Sequence, residues 1–471
     1  MEEKKGAGRL SSNTSDRRNA DRNITHNQKV SRMHAAQKKP WGYRHKILLV
    51  IWLLYVINYL DRISVLTLLP YIGEDLQLNT IQIGWLGSIF FFGYALAQFS
   101  AGILSDRIGT KKTMSIAIVM FTAITFLTGL VKNFTQFFVL RLGLALGEGH
   151  HYTPSIKTIA NWFPAHEKGR ANGFFATTFG IAPMVTPIMV TWMAATFFNN
   201  NWRPVFFCLA VPGLLGIFLL WKFIYNSPRE GFEKGVVAQE ELDMIVESIG
   251  EDASVSGKRY STKIITTDVK FYLYSIAWFM QLMIYWGMTT WIAFFLVNAH
   301  GYDIKTMGIM AGLPYLAAII AQYFGGVAAD KFFGGRPRIL CLIAYMGCVP
   351  VLYLIGQVPQ GQTLPLLILL LLGGFFINLN WSVIQAYPSY RYPKEVVGRA
   401  MGFANGIGQF GAFLSPLAAG YLVTLREDGS SDFANVFLFW SIISVIAALC
   451  FYFLKETPVK AERFLIRDTT P

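Results

Sequence analysis

Asp61 and Arg62 sit side by side in Asn58-Tyr59-Leu60-Asp61-Arg62, within an otherwise apolar run from Ile47 to about Tyr71. A later apolar run holds Arg141 and Glu148. Seven residues rotate a helix by about 700°, so that second pair shares one face, two turns apart. Charges at membrane depth cost at least about 2.5 kcal/mol each, and persist when paired, hydrated in a cavity, or functional. Two acids and two bases neutralise one another when nothing is bound. A carboxylate ligand then takes an arginine and frees an acid to bind a proton. Arginine suits that exchange because its guanidinium forks onto a carboxylate and keeps its proton.

Other groups in these runs are weaker candidates. His150 and His151 project about 100° apart, so at most one shares a face with Glu148. Each reads first as a packed or cavity-lining histidine, and second as a proton relay. Lys157 falls on nearly the opposite face from Glu148 and close to a span end, which suits a structural or gating role. Uncharged pairs four apart recur at Tyr94 and Gln98, at Asn378 and Ser382, and at Asn405 and Gln409. Each presents amides or hydroxyls on one helix face, for a hydroxylated ligand or for a neighbouring helix.

The elements that carry these residues follow from composition. The 471 residues are 53% hydrophobic and 15% charged, against about a quarter charged in soluble domains. Apolar runs of about 20 residues recur, each long enough to cross a hydrocarbon core about 30 Å thick. The pattern predicts an all-α membrane protein with twelve transmembrane helices in two six-helix pseudo-symmetric halves. Spans are expected near 47–71, 80–104, 113–131, 135–161, 171–198, 204–225, 271–297, 305–329, 338–357, 364–388, 400–424 and 434–454. The division is a disordered basic tail at 1–45, an N-terminal bundle at 46–225, a linker at 226–270, a C-terminal bundle at 271–455, and a tail at 456–471. The net charge of +13 collects in the first tail and in alternate short loops. That is the positive-inside pattern, which places both termini in the cytoplasm and calls for a lipid bilayer, not nucleic acid. Cys208, Cys341, Cys348 and Cys450 fall in apolar stretches at no metal-ligand spacing and read as packing residues.

Two echoes indicate duplication. Gly102-Ile-Leu-Ser-Asp106-Arg107 matches Gly326-Val-Ala-Ala-Asp330-Lys331 at an offset of 224. Gly169-Arg170-Ala171-Asn-Gly173 matches Gly398-Arg399-Ala400-Met-Gly402 at an offset of 229. Duplicated halves around a midplane site are the architecture of a secondary transporter. Gly102, Asp106, Arg107, Gly109 and Lys111 lie in a short loop where glycine permits close helix approach and the acid can meet a base, so they are assigned to conformational gating.

With Asn58–Arg62, the Gly102–Lys112 loop, Arg141-Leu-Gly-x(3)-Gly147-Glu148 and Trp162-Phe163-Pro164 in view, residues 45–455 resemble the anion:cation symporters of the major facilitator superfamily. That group includes sugar-acid and phthalate permeases and the sialic acid carrier. The resemblance implies that Asp61 and Glu148 are proton-coupling carboxylates, with Arg141 as the basic partner of an acid. It further implies that Arg62 binds the anion and that Tyr59, Tyr94, Ser382 and Asn405 contact the ligand. Asn378 and Gln409 join the candidate substrate contacts through their spacing. Gly149-His150-His151-Tyr152-Thr153-Pro154 and Thr177-Thr178-Phe179 depart from the sugar-acid permease pattern and leave room for an aromatic or smaller carboxylate. The expectation is a proton-coupled importer of a small organic anion. It is expected to be monomeric in a bacterial inner membrane, with the proton as coupling ion and no cofactor, metal or enzymatic activity. The alternatives are an antiporter or exporter of organic anions and, further off, a transporter-like sensor.

Overall fold

The computed structural model describes residues 41–255, 260–333, 337–427, 429–454, 457–459 and 461–465. Residues 1–40, the side chain of Asp330 and most of the C-terminal tail lie outside that set. Among the described residues, ten helices are long and apolar enough to cross a membrane. Two more, Phe134–Trp162 and Lys394–Leu422, are as long, at 29 residues each. Their apolar character is diluted by Arg141, Glu148 and paired histidines in one, and by glycines and amides in the other.

The N-terminal bundle comprises span one (Tyr43–Asp75), span two (Thr80–Ile108), span three (Thr110–Thr128), span four (Phe134–Trp162), span five (Ala165–Ala176 with Thr178–Phe197) and span six (Arg203–Phe223). The C-terminal bundle comprises span seven (Val269–Asn298), span eight (Ile304–Lys331), span nine (Pro337–Ile355), span ten (Thr363–Leu379 with Trp381–Arg391), span eleven (Lys394–Leu422) and span twelve (Ala434–Phe453). Large apolar side chains such as Val139, Phe197 and Trp221 stay exposed on the outer surface, as a lipid-facing wall requires.

Spans five and ten each carry a one-residue break in an otherwise continuous helix. Span five breaks at Thr177, whose hydroxyl donates to the Phe174 carbonyl at 2.7 Å and accepts from Trp52 Nε1 at 2.8 Å. Span ten breaks at Asn380, whose amide donates to Gln281 Oε1 at 3.3 Å. Threonine and asparagine offer the backbone a local alternative to the helical ladder, and membrane helices tolerate a break where protein surrounds it.

Residues 226–270 are not a featureless connection. They contain the helices Pro228–Glu233 and Gln239–Val255. Glu241 of the second accepts from the backbone of Tyr43 at 2.9 Å and from Arg44 Nη1 at 3.0 Å. Arg44 Nε also donates to Glu167 after span four, at 2.8 Å. The start of span one is thereby pinned to the start of span five and to the linker.

The C-terminal bundle repeats this clamp with the charges exchanged. Asp268, at the start of span seven, accepts from Arg391 Nε at 2.5 Å, Arg391 Nη2 at 2.6 Å and the Tyr392 hydroxyl at 2.6 Å. Burial pushes the Asp268 carboxyl up, but Arg391 and Tyr392 outweigh it and hold the group below the usual carboxylate range. A depressed folded pKa stabilises the fold above the unfolded value of about 3.9, and that stability is lost as pH falls through the folded pKa. Asp268→Asn is therefore expected to cost about 1–3 kcal/mol at neutral pH. The melting temperature of purified protein checks this, and the gap from wild type should begin to narrow as the pH falls below about 3.9 and close as it falls through the folded pKa.

The two bundles meet through spans two and eleven, five and eight, and one and seven. At the face opposite the termini the approach is close. A Cβ on Gly84 would lie 2.8 Å from the Pro416 carbonyl oxygen, and one on Gly308 would lie 2.9 Å from the Pro187 carbonyl oxygen. Gly84 and Gly308 are related by the offset of 224, Pro187 and Pro416 by that of 229. One construction therefore seals this face twice. At the terminus-bearing face, Cβ atoms on Gly102, Gly169, Gly173, Gly398 and Gly402 would meet nothing within 4 Å. The structure is shut at the far face and open at the face that bears the termini.

Candidate functional site: a ring-lined cavity backed by a charge cluster

Between the bundles lies a cavity of about 290 Å³, near the lower end of the usual range for small-molecule sites. The N-terminal bundle lines it with Tyr55, Tyr59, Tyr94, Gln98, Tyr152 and Phe179. The C-terminal bundle adds Tyr274, Trp278, Tyr285, Trp286, Trp381, Gln322, Gln385 and Asn405, with Leu282, Met401 and Gly402. Most of these residues occupy the parts of their spans nearer the terminus-bearing face, which places the opening there. At the wall Asn405 Nδ2 donates to Gln98 Oε1 across the two halves at 3.3 Å.

Arg62 lies directly behind this wall and is only 2% exposed. Its Nε donates to Glu148 Oε2 at 2.9 Å, and Nη2 stands 2.8 Å from the same oxygen without the angle of a hydrogen bond. The guanidinium carbon stands 4.6 Å from the Tyr59 ring centroid, 4.7 Å from Tyr94 and 5.6 Å from Trp286. These rings also line the cavity. A small movement of the tyrosines, or of Trp286 on the opposite bundle, would thus expose a fixed positive charge to a ligand. Cation–π contacts of this kind contribute about 0.5–2 kcal/mol each and hold the guanidinium in place.

Asp61 is adjacent in sequence but points elsewhere. It is 2% exposed, faces Thr125 of span three and does not line the cavity. Glu148 is wholly buried, and its Oε1 has no hydrogen-bond partner. Arg141 donates from Nε to the Leu86 carbonyl at 3.3 Å and packs 4.5 Å from the Phe90 ring, with both terminal nitrogens unpartnered. Phe90 also lies 4.7 Å from Arg62, so one ring separates the two arginines. The residue directly paired with Glu148 is Arg62, and Arg141 is held in reserve one ring away.

The remaining candidates divide by position. Tyr59, Tyr94 and Asn405 line the cavity. Asn378 and Ser382 instead grip span eight: Asn378 Oδ1 accepts from Gln322 at 3.1 Å and Ser382 Oγ donates to the Gln322 carbonyl at 3.3 Å. Gln409 opens onto an apolar cleft between spans two and eleven, beside Phe403 and Phe410. In the Gly102–Lys111 loop, Asp106 forms an ion pair with Lys157 of span four, while Arg107 is exposed. Gly109 makes the turn at φ 89°, with Asn226 so close that a Cβ would lie 2.7 Å from its Oδ1. Lys111 donates from its backbone to Asn226 at 3.0 Å and from Nζ to the Trp221 carbonyl at 3.0 Å.

The residues that spacing alone passed over are the rings of the second half. Tyr274, Trp278 and Leu282 recur every four residues along span seven, with Tyr285 and Trp286 next. That period could have been read as a stripe, although it does not distinguish a packed core from a cavity wall.

Two linked bundles around a central cavity, closed on one side only, define an alternating-access carrier. The model of the Major Facilitator Superfamily matches residues 51–364 and 301–469, and the chain belongs to that family of membrane transporters. It is 30% identical over 436 residues to a probable L-galactonate transporter of Escherichia coli K12, covering 88% of this chain and 90% of that one. It is 27% identical to a probable sulfoacetate transporter of Cupriavidus necator, covering 83% and 89%. It is 28% identical to a probable galactarate/D-glucarate transporter of Escherichia coli K12, covering 89% and 96%. Among solved structures, a D-xylose–proton symporter superposes with a TM-score of 0.71 at 16% identity, covering 88% of this chain and 99% of the other. A bacterial homologue of the lysosomal transporter Spinster does so with a TM-score of 0.72 at 16% identity, covering 87% and 96%.

Proposed function

We propose that the protein is a proton-coupled symporter that imports a small organic carboxylate by rocking its two bundles around the central cavity. The supporting observation is Arg62, paired with buried Glu148 and packed against Tyr59, Tyr94 and Trp286, which line the cavity. A carboxylate that displaces those rings takes the guanidinium, and Glu148, released from its partner, binds a proton. Asp61 is the second acid of the cluster. The charge of the loops makes the terminus-bearing face cytoplasmic, so the conformation described is inward-open.

An inside-negative potential opposes anion entry by about 2.3 kcal/mol per charge per 100 mV. One proton cancels the charge of a monoanion, a second makes entry potential-driven, and each inward pH unit adds about 1.4 kcal/mol per proton. The relatives named for galactonate, galactarate/D-glucarate and sulfoacetate support an organic anion. The cavity's three tryptophans, Trp278, Trp286 and Trp381, favour a flat or aromatic acid over a polyol within that class. A thermal-shift screen of purified protein with galactonate, glucarate, sulfoacetate, benzoate and phthalate at pH 5.5 and 7.5 tests the reading. A ligand at about 100 times its Kd adds about 2.7 kcal/mol and should raise Tm by about 2 °C or more. No shift with any of these acids would sink the carboxylate assignment. Alkalinisation of the medium during uptake of the active acid into vesicles, with uptake accelerated by an inward pH gradient, indicates symport, whereas acid accumulation driven by an outward pH gradient indicates an antiporter.

A further inference from the structure

The two neighbouring histidines of span four are in opposite conditions. His150 is satisfied at both ring nitrogens: Nδ1 lies 2.7 Å from the Leu146 carbonyl and Nε2 lies 2.8 Å from Ser100 Oγ. His151 is wholly buried and neither nitrogen has a partner. Its ring stacks on Tyr55 at 5.6 Å and 10° and stands edge-on to Phe121 at 6.2 Å, which fixes its plane while leaving both nitrogen edges free. A histidine kept only for packing would normally be bonded as His150 is, because an unsatisfied buried polar group costs about 1–3 kcal/mol.

His151 is not alone in this. Asn58 is wholly buried with neither amide atom partnered, Thr122 Oγ1 and Glu148 Oε1 share that condition, and Asp61 has only Thr125 against its carboxyl. The six residues form three pairs, each three positions apart on one helix: Asn58 with Asp61, Thr122 with Thr125, and Glu148 with His151. Residues so spaced share a helix face. Thr125 faces Asp61, and Thr122 faces Gly213 of span six, so the faces converge inside the N-terminal bundle and not in the cavity. Tyr55 lines the cavity and covers His151 from behind. Buried polar groups that lack protein partners are typically bridged by ordered water with about three hydrogen bonds each.

We propose that His151 and Asn58 form a hydrated proton route inside the N-terminal bundle, leading from behind the Tyr55 ring to Asp61 and Glu148, apart from the path of the anion. The titratable and charged groups around it are Tyr55 and Asp61 on span one and Glu148 on span four, with Arg62 and Arg141 beyond Glu148. Span three contributes Phe121, Thr122 and Thr125 here, and span six Gly213. This rests on the proton-coupled reading above and adds that the two cargoes enter by different doors.

The test uses the proton itself as probe. Full-length protein in detergent is given an acid jump, and proton uptake is followed with a pH dye in wild type, E148Q, H151L and N58L. E148Q should lose uptake amplitude, which reports Glu148 as an acceptor; an E148Q amplitude equal to wild type sinks the coupling reading itself. With that step established, H151L and N58L should keep the amplitude and slow its rate about tenfold or more. Rates within twofold of wild type overturn the route. So does an amplitude lost in H151L, since His151 would then store the proton instead of passing it on. Should H151L fail to fold, N58L on the facing helix carries the same test.

Discussion

Glu148→Gln is expected to reduce uptake driven by a pH gradient by about 100-fold or more, while exchange of internal for external anion survives. The carboxyl is wholly buried and bonds Arg62 at 2.9 Å. A glutamine is isosteric and its carbonyl still accepts from the guanidinium, so the pair's geometry is kept and only the exchangeable proton is lost. Removing the side chain, as in Glu148→Ala, is a different experiment: it leaves Arg62 buried without the acceptor that glutamine keeps, at a cost of about 3–5 kcal/mol. The glutamine variant also lacks the competing negative charge, so the anion should bind it more tightly than wild type at neutral pH. Uptake and counterflow in proteoliposomes, with binding measured on the same preparation, separate these effects. Acid-driven uptake at the wild-type rate would remove Glu148 from the coupling role.

Gly84→Leu and Gly308→Leu are expected to stop transport by at least about 100-fold, for a reason that involves no chemistry. Each added side chain starts from a Cβ under 3 Å from a carbonyl oxygen of the opposite bundle, and backbone cannot yield as a flexible side chain does. The far-face seal then stays apart. A cysteine introduced as Met288→Cys should become reactive to a maleimide added from that side only in the leucine variants. Cys341, Cys348 and Cys450 are buried, and the partly exposed Cys208 is replaced by serine in every variant to remove its background. Gly102→Leu is the mirror case. Nothing stands within 4 Å of its Cβ, so this conformation should form with an unchanged Tm while turnover fails when the opposite face closes. Equal transport by wild type and Gly308→Leu would show that turnover does not require the far face to close on this contact.

Much of this was legible in the residues. The cost of charge in an apolar run singled out Asp61, Arg62, Arg141 and Glu148. The internal echoes announced two halves, and their offsets recur in glycines and prolines that no motif highlighted. The partner of Glu148 was not legible: heptad spacing put Arg141 on its face, but rotation about one helix says nothing of which neighbour reaches across, and Arg62 does. The breaks at Thr177 and Asn380 escaped because a single polar residue in an apolar run does not interrupt hydropathy. Asn378 and Ser382 carried the right chemistry for a ligand yet hold Gln322, since spacing identifies a face and not what that face meets. The condition of His151 could be seen only once its neighbours in space were known.

The twin seals have an energetic consequence. A door built from the same glycine–carbonyl contacts on each pseudo-symmetric diagonal, with matching glycines waiting at the opposite face, trades one closed surface for another of like kind. Neither conformation then carries a large intrinsic advantage, and modest forces decide which is populated. One elementary charge moved through 100 mV supplies about 2.3 kcal/mol, enough to change such a balance about fiftyfold. Internal duplication thus does more than repeat a fold. It keeps the molecule near balance, where the movement of a single charge can tip it.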